Sequence, residues 1–303
     1  LEFTEFSPTH DVMTIRPREL RGSLFGHFRA AAGRETAGLN ISGNLSYNQL
    51  AWLGNVFVKA VPTGAGAGAD KTYAFTPSSA TDDVKSVTLE YGFDSTLSAG
   101  VPGFRQVYSL GRELTVTWDK SSQDGVTYSA DLDSPKALSQ ITAFGGTPTQ
   151  LASTAMSPNN TAITIDATTI GTTADNYAPS LTWTLSNGFT DLDTLNNTVS
   201  AQDTFRTGEW AWTAELTRFY VNDNERDRFI DKAVRKLRVV NTGPTLGATT
   251  YKATLDLFGV IEGASWDKTD GLIMETLSYV PVYDTTAATN FSLTVVTSEA
   301  TIS

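Results

Sequence analysis

Apolar residues recur with period two through most of this chain. In "SVTLEY", Val87, Leu89 and Tyr91 alternate with polar neighbours, and in "LTVTW" Leu114, Val116 and Trp118 do the same. "LTWTL" places Leu181, Trp183 and Leu185 on one face, and "EWAWTAEL" places Trp210, Trp212, Ala214 and Leu216 on one face. Strict alternation predicts strands with one face buried and one wet. "YKATLDLFGVIEGASW", "TDGLIMETLSYVPVYD" and "FSLTVVTSEATI" also read as strands.

Two stretches follow helical spacing instead. Between residues 42 and 62, Leu45, Gln49, Trp52, Leu53, Val56 and Phe57 recur at three- and four-residue steps. They predict a short helix, stopped by Pro62 and the loop tip "TGAGAGAD". "NDNERDRFIDKAVRKL" predicts a helix over 222–237. Asn222 and Glu225 have capping-box spacing. Lys232, Arg235 and Lys236 complement the dipole in the last turn. Phe229, Ile230, Ala233, Val234 and Leu237 form the apolar face.

These elements define an N-terminal arm over 1–41, a first β-rich half with the short helix over 42–131, a linker over 132–162, and a second β-rich half over 163–303. The halves are alternatively one composite domain. The arm carries five arginines from Arg16 to Arg34, and reads either as a flexible tail or as a segment ordered on a neighbouring subunit. A faint repeat links the halves. Each has a strand leading to Gly-Phe (Gly92-Phe93, Gly188-Phe189), a polar loop, Phe-Arg (Phe104-Arg105, Phe205-Arg206), then Gly, Glu and a strand bearing Trp. It reads either as chance or as two copies of one β-unit. The loops, about 15 residues each, are of a length that usually contacts something.

One strand is anomalous. In "TDGLIMETLSYVPVYD", Leu277, Tyr279, Val280, Val282 and Tyr283 put apolar groups on both faces, with Pro281 near the end. Proline has no N–H for a ladder, so such a strand belongs at an edge, at a strand end, or against another chain. Such features suit a subunit that buries its edges in an assembly.

Composition narrows the function. Of 303 residues, 40% are hydrophobic and 18% charged, which is too apolar for disorder. Lys and Arg number 22 against 33 Asp and Glu, a net charge of -11, which opposes gripping nucleic acid through phosphates. There is no cysteine, hence no disulfide or thiolate metal site. The only histidines, His10 and His27, lie in the arm, so the folded body has no His-based triad or zinc site. No run reaches a membrane span and no signal peptide is visible. The first residue is Leu, so we expect the natural start to lie upstream.

Candidate chemistry is sparse. Asp267, Asp270 and Gly271 lack the remaining spacing of a calcium loop and fit a hairpin turn. Asp223, Glu225 and Asp227 fan out once helical and serve capping. No nucleophile elbow, P-loop or dinucleotide fingerprint is present. We expect no cofactor, no metal and no enzyme activity.

The order "GNLSYNQLAWLGNVFVKA", "KTYAFTPSSATDDVKSVTLEYG", "GRELTVTWD", then "LTWTLSNGFTDLDTL", a helix, "YKATLDLFGVIEGASWDKTDGLIMETLSYVPVYD" and "FSLTVVTSEA" resembles the major tail tube proteins of long, non-contractile-tailed bacteriophages. The resemblance runs from about Ser42 onward and is one of segment order. It implies a mainly β fold: two packed antiparallel sheets with one or two short flanking helices, whose sheets join between subunits into a β-barrel channel. It implies a structural subunit of the virion tail, assembled in the host cytoplasm. Its partners would be itself, in six-membered or pseudo-hexameric trimeric rings, the tape measure protein and double-stranded DNA in the lumen, and terminator and tip proteins. The long loops at 94–110 and 187–207 would reach the adjacent ring, which singles out Arg105 and Arg206 beside Leu277, Tyr279, Val280, Val282 and Tyr283 as assembly residues. The competing readings are a carbohydrate-binding or glycan-cleaving β-sandwich and a capsid decoration or adhesion protein.

Overall fold

A computed structural model describes residues 3–15, 31–61, 63–66, 68–77, 86–92, 103–141, 154–192, 203–269 and 271–302. Its first half contains β1 (Glu5–Ile15), β2 (Ala31–Asn44), helix α1 (Tyr47–Phe57), β3 (Lys71–Phe75), β4 (Val87–Tyr91), β5 (Gly103–Asp119), β6 (Thr127–Ser134) and β7 (Ser139–Ile141). The second contains β8 (Thr161–Asp166), β9 (Ala174–Asp175), β10 (Ser180–Leu192), β11 (Asp203–Phe219), helix α2 (Asn224–Asp231), β12 (Arg235–Leu246), β13 (Thr249–Thr269), β14 (Leu272–Pro281) and β15 (Phe291–Thr297).

The strands form one antiparallel sheet in the order β1-β2-β6-β5-β10-β11-β14-β13-β12-β8-β9. β15 joins β13 to β3, while β4 and β7 pair with the start of β5. The path does not close into a barrel. The sheet folds over so that its inner faces meet. Val116, Trp118 and Trp183 line one internal void with Val239, Ala253, Leu255 and Leu293. That void measures only about 10 Å³, so the two layers interdigitate closely. Residues of both halves share a single core cluster, from Leu39 and Leu114 to Leu237 and Leu293.

The alternating residues go where their period sends them. Leu114, Val116, Leu181, Trp183, Leu185, Ala214 and Leu216 are all fully buried, and Trp118 and Trp212 nearly so. α1 starts where Ser46 accepts from the Gln49 amide and the Gln49 side chain accepts from the Ser46 amide, a reciprocal capping box. Ten of its eleven residues are buried, so it is a core element rather than a flanking one. Burying Leu50, Leu53, Val56 and Phe57 contributes about 1.5–3 kcal/mol each. Gly54 and Gly111 let the helix sit this deep. A Cβ on Gly54 would lie 2.6 Å from the Phe75 ring, and one on Gly111 would lie 2.6 Å from the Phe57 ring.

Several expectations need correction. The helix expected over 222–237 spans only Asn224–Asp231, and its N-cap is Asp223. Lys232 takes a left-handed conformation (φ 50°) that ends it, and Arg235, Lys236 and Leu237 already belong to β12. Alternation of Arg235, Leu237 and Val239 toward the core outweighs helical spacing there. The segment 269–284 is not an exposed edge. β14 is paired on one side to β11 through Met274–Tyr279 and on the other to β13 through Leu272–Pro281. Leu277 and Tyr279 are core residues, and Pro281 stands at the strand end, where a missing N–H costs little. Val282 donates to the Phe258 carbonyl. Within the expected arm, β1 and β2 form a ribbon joined to the sheet through β6.

Candidate functional site

The surface features with no internal explanation are sheet edges and ribbons. β1 pairs only with β2, so among the described residues its outer edge, eleven residues long, meets no other strand. Pro8 in its middle is tolerated because an edge strand can lose a donor. Past β6, residues 31–36 of β2 continue with β1 as a two-stranded ribbon. β10 and β11 likewise run on beyond β5 and β14, pairing Asn187–Leu192 with Asp203–Trp210. The register shifts between Asn187 and Phe189, where the backbones approach so closely that a Cβ on Gly188 would lie 3.0 Å from the Gly208 Cα.

Register places these ribbons at one end of the sandwich. Position 37 of β2 is level with Ser134, Ser134 lies just past Leu110, and Glu113 faces Ser186. The start of β5, paired with β4 and β7, extends to the same end. At that end, Asp191 is a hub. Arg112 donates to it at 3.1 Å, Arg34 forms an ion pair with it, and Thr204 donates to it at 2.9 Å. Arg112 also lies 3.3 Å from Asp133. Burial pushes the Asp133 carboxyl up against the opposing pull of Arg112. Asp191 thereby ties β2, β5, β10 and β11 together, and Asp133 adds β6. A groove of about 540 Å³ beside the hub is lined by Val12, Met13, Arg34, Gly38, Asp133 and Asp191.

The β13–β14 ribbon leaves the opposite end, since Phe219, the last residue of β11, pairs with Met274 near its turn. Gly271 supplies the positive φ (84°) for that turn, which is the hairpin expected in place of a calcium loop. Trp266, Leu272 and Ile273 stand about half exposed there, with Tyr177, Phe219 and Val221 exposed nearby. The amides of Phe219 and Tyr220 fasten this end by donating to the Tyr177 and Ile273 carbonyls.

Beneath that end lies a buried charge cluster. Arg218 reaches Asp175 at 3.3 Å and Glu275 at 3.1 Å, while Arg235 grips Glu225 through two nitrogens. The Glu275 side chain is fully buried, as is that of Tyr279 beside it, whose hydroxyl has no hydrogen-bond partner. Burial drives the Glu275 carboxyl up, Arg218 and a hydrogen bond from the Trp266 side chain oppose it, and Glu225 and Asp175 add to the rise. Three carboxylates thus face two guanidiniums. Position 275 alternates in phase with Leu277 and Tyr279, which was the one sign in the sequence that it points inward.

The residues singled out from the sequence are scattered. Arg105 pairs with Glu90, its Nε donating at 2.7 Å. Arg206 stacks on Trp210 at 3.9 Å and on Phe189 at 4.6 Å. Both lie on the ribbons of one end. Leu277 and Tyr279 are buried toward the other, Val280 is partly buried, and Val282 and Tyr283 follow β14. The stretches expected as loops at 94–110 and 187–207 are largely strand where they are described. Residues 94–102 and 193–202 lie outside the described residues, as do Phe93 and the arginines from Arg16 to Arg29. The ladders put Phe104-Arg105 opposite Tyr91 and Glu90, and Phe205-Arg206 opposite Thr190 and Phe189. The Gly-Phe pairs are not in matching register, since Gly92 lies past the partner of Arg105 and Gly188 precedes that of Arg206.

Among the described residues, no group of acidic or histidine side chains is arranged to hold a metal ion, and no helix is long and apolar enough to cross a membrane. Compared with models of known families and with curated proteins, the chain matches none.

Proposed function

We propose that this protein is a self-assembling structural subunit whose sheet joins those of neighbouring copies around a hollow axis, as in the tail tubes its segment order resembles. The observation that carries this reading is the open sheet. Among the described residues it has an eleven-residue unpartnered edge at β1, long ribbons projecting from one end of a well-packed core and the short β13–β14 hairpin at the other. Free strand edges are a hazard that folded proteins cover, blunt or use for pairing. Joining edges between copies into a closed barrel removes them.

The polarity of the ribbons supports the same reading. Unlike surfaces at opposite ends favour head-to-tail contacts, which build rings or filaments rather than two-fold dimers. The surplus of acidic residues suits a channel whose wall repels phosphate, so that DNA passes without sticking. In this account the inter-subunit ladder falls to β1, because β14 is satisfied within the chain. Sedimentation velocity over a concentration series tests it. Growth from protomers to large species is expected. A single slow boundary at every concentration would refute it and favour a glycan-binding or decoration module.

A further inference from the structure

We propose that the Asp175–Arg218–Glu275 cluster is a proton-operated latch: Glu275 keeps its proton in the folded protein above the pH at which the unfolded chain releases it, and its loss loosens the end of the sandwich that bears the β13–β14 ribbon. This inference stands apart from the assembly reading, since it concerns a single protomer.

Geometry carries it. Glu275 is inaccessible to solvent, Arg218 Nε lies 3.1 Å from one of its carboxylate oxygens, and among the described residues the Trp266 side chain is the one further donor acting on it, so burial is met by few compensating contacts. Arg218 is divided between two acids, with its Nη1 3.3 Å from Asp175. The second guanidinium is already committed, because Arg235 binds Glu225 in a two-nitrogen clasp. The groups that act on Glu275 are Asp175 from β9, Arg218 from β11, Glu225 from α2 and the Trp266 side chain from β13, and the Tyr279 hydroxyl of β14 feels the same Asp175, Arg218 and Glu225 together with Arg235 from β12. Tyr220 lies further out. Counting charges, three acids against two guanidiniums leave one buried negative charge unbalanced. An unbalanced buried carboxylate takes up a proton rather than remain charged. Burial is also the main cause that raises the Glu275 carboxyl.

The sign follows. A carboxyl raised in the folded state loses its proton first in the unfolded chain. Its stabilisation is complete below the ordinary glutamate range of about 4.3, and declines as pH rises from there toward the folded value. The elements meeting at the cluster also carry the bonds from Phe219 to Tyr177 and from Tyr220 to Ile273, so these open as the proton leaves.

The test compares unfolding of the full chain and of Glu275→Gln between pH 5 and 9. Glutamine keeps the shape and removes the titration. The ratio of wild-type to variant unfolding constants is expected to climb with pH by up to about tenfold per unit. Protection of the Phe219 and Tyr220 amides should fall with pH in the wild type and stay level in the variant. A constant ratio, or a variant that loses ground as pH rises, overturns the proposal. Infrared difference spectra give a second readout on wild-type protein alone. A protonated-carboxyl band from specifically labelled glutamate is expected to persist above pH 5, where the other glutamates are ionised, and its absence overturns the latch even if the variant fails to fold.

Discussion

Arg112 of β5 donates to Asp191 of β10 at 3.1 Å, and the same carboxylate receives Arg34 from β2. One acid thus ties the two ribbons that project from the same end. Both arginines keep some solvent contact, so the pair is worth less than a fully buried one. Asp191→Ala is expected to lower stability by about 1–3 kcal/mol, the range for a lost hydrogen bond to a charged group. Chemical denaturation measures that loss. Hydrogen exchange should show it concentrated in residues 31–36 and 187–192, with the core strands little changed.

Tyr47 opens α1 and donates its hydroxyl to Asn241 of β12, whose amide donates to the Ser157 carbonyl at 2.6 Å and to Thr161 at 2.7 Å. Burial pushes the Tyr47 phenol up to about 12. Tyr47→Phe leaves the Asn241 carbonyl oxygen without its donor in the interior. A cost of about 1–3 kcal/mol is expected from the unfolding midpoint. Changing Tyr47 to Phe and Asn241 to Leu together should cost less than the two single changes summed.

Gly111 lies under the Phe57 ring at the end of α1, where a methyl group has no room. Gly111→Ala is expected to destabilise by about 1–3 kcal/mol through overpacking. A smaller ring should relieve it, so Gly111→Ala combined with Phe57→Leu is expected to be more stable than Gly111→Ala alone. Thermal unfolding of the three proteins decides.

Asp166 at the end of β8 accepts from the amides of Gly171, at 2.7 Å, Thr172 and Thr173. Burial alone would raise its carboxyl, but the hydrogen bonds from Thr172 and Thr173 outweigh that and hold it down at about 2. A carboxyl depressed in the folded state stabilises at pH values above its unfolded range. That stability is lost as pH falls from about 3.9 toward the folded value. Asp166→Asn should therefore be less stable than wild type at neutral pH, by about 1–3 kcal/mol. The gap between the two should narrow in acid titrations toward pH 2.

Much of the fold was legible because alternation reports burial directly. Leu114, Val116, Trp183 and Leu216 occupy the core positions their period assigned. The Ser46–Gln49 cap, whose spacing stands in the sequence, sets the start of α1. The segment at 235–237 misled because Leu237 follows Ala233 and Val234 at helical spacing and precedes Val239 at strand spacing, so it satisfies both periods at once. β14 misled for a related reason. Tyr279, Val280 and Val282 read as a strand with two apolar faces, which suits an edge awaiting a partner and equally suits a strand between β11 and β13. Only the long-range pairing separates these cases. The Asp191 hub joins residues as far apart as 34, 112, 191 and 204, and no local pattern announces such contacts. Glu275 carried a weak signal, an acid in phase with buried neighbours.

The central claim is that the protomer's open edges are completed by copies of itself around a hollow axis. Negative-stain electron microscopy of the purified protein at increasing concentration tests this most directly. Hollow filaments or stacked rings with a stain-filled centre are expected. Solitary compact particles at every concentration would contradict it.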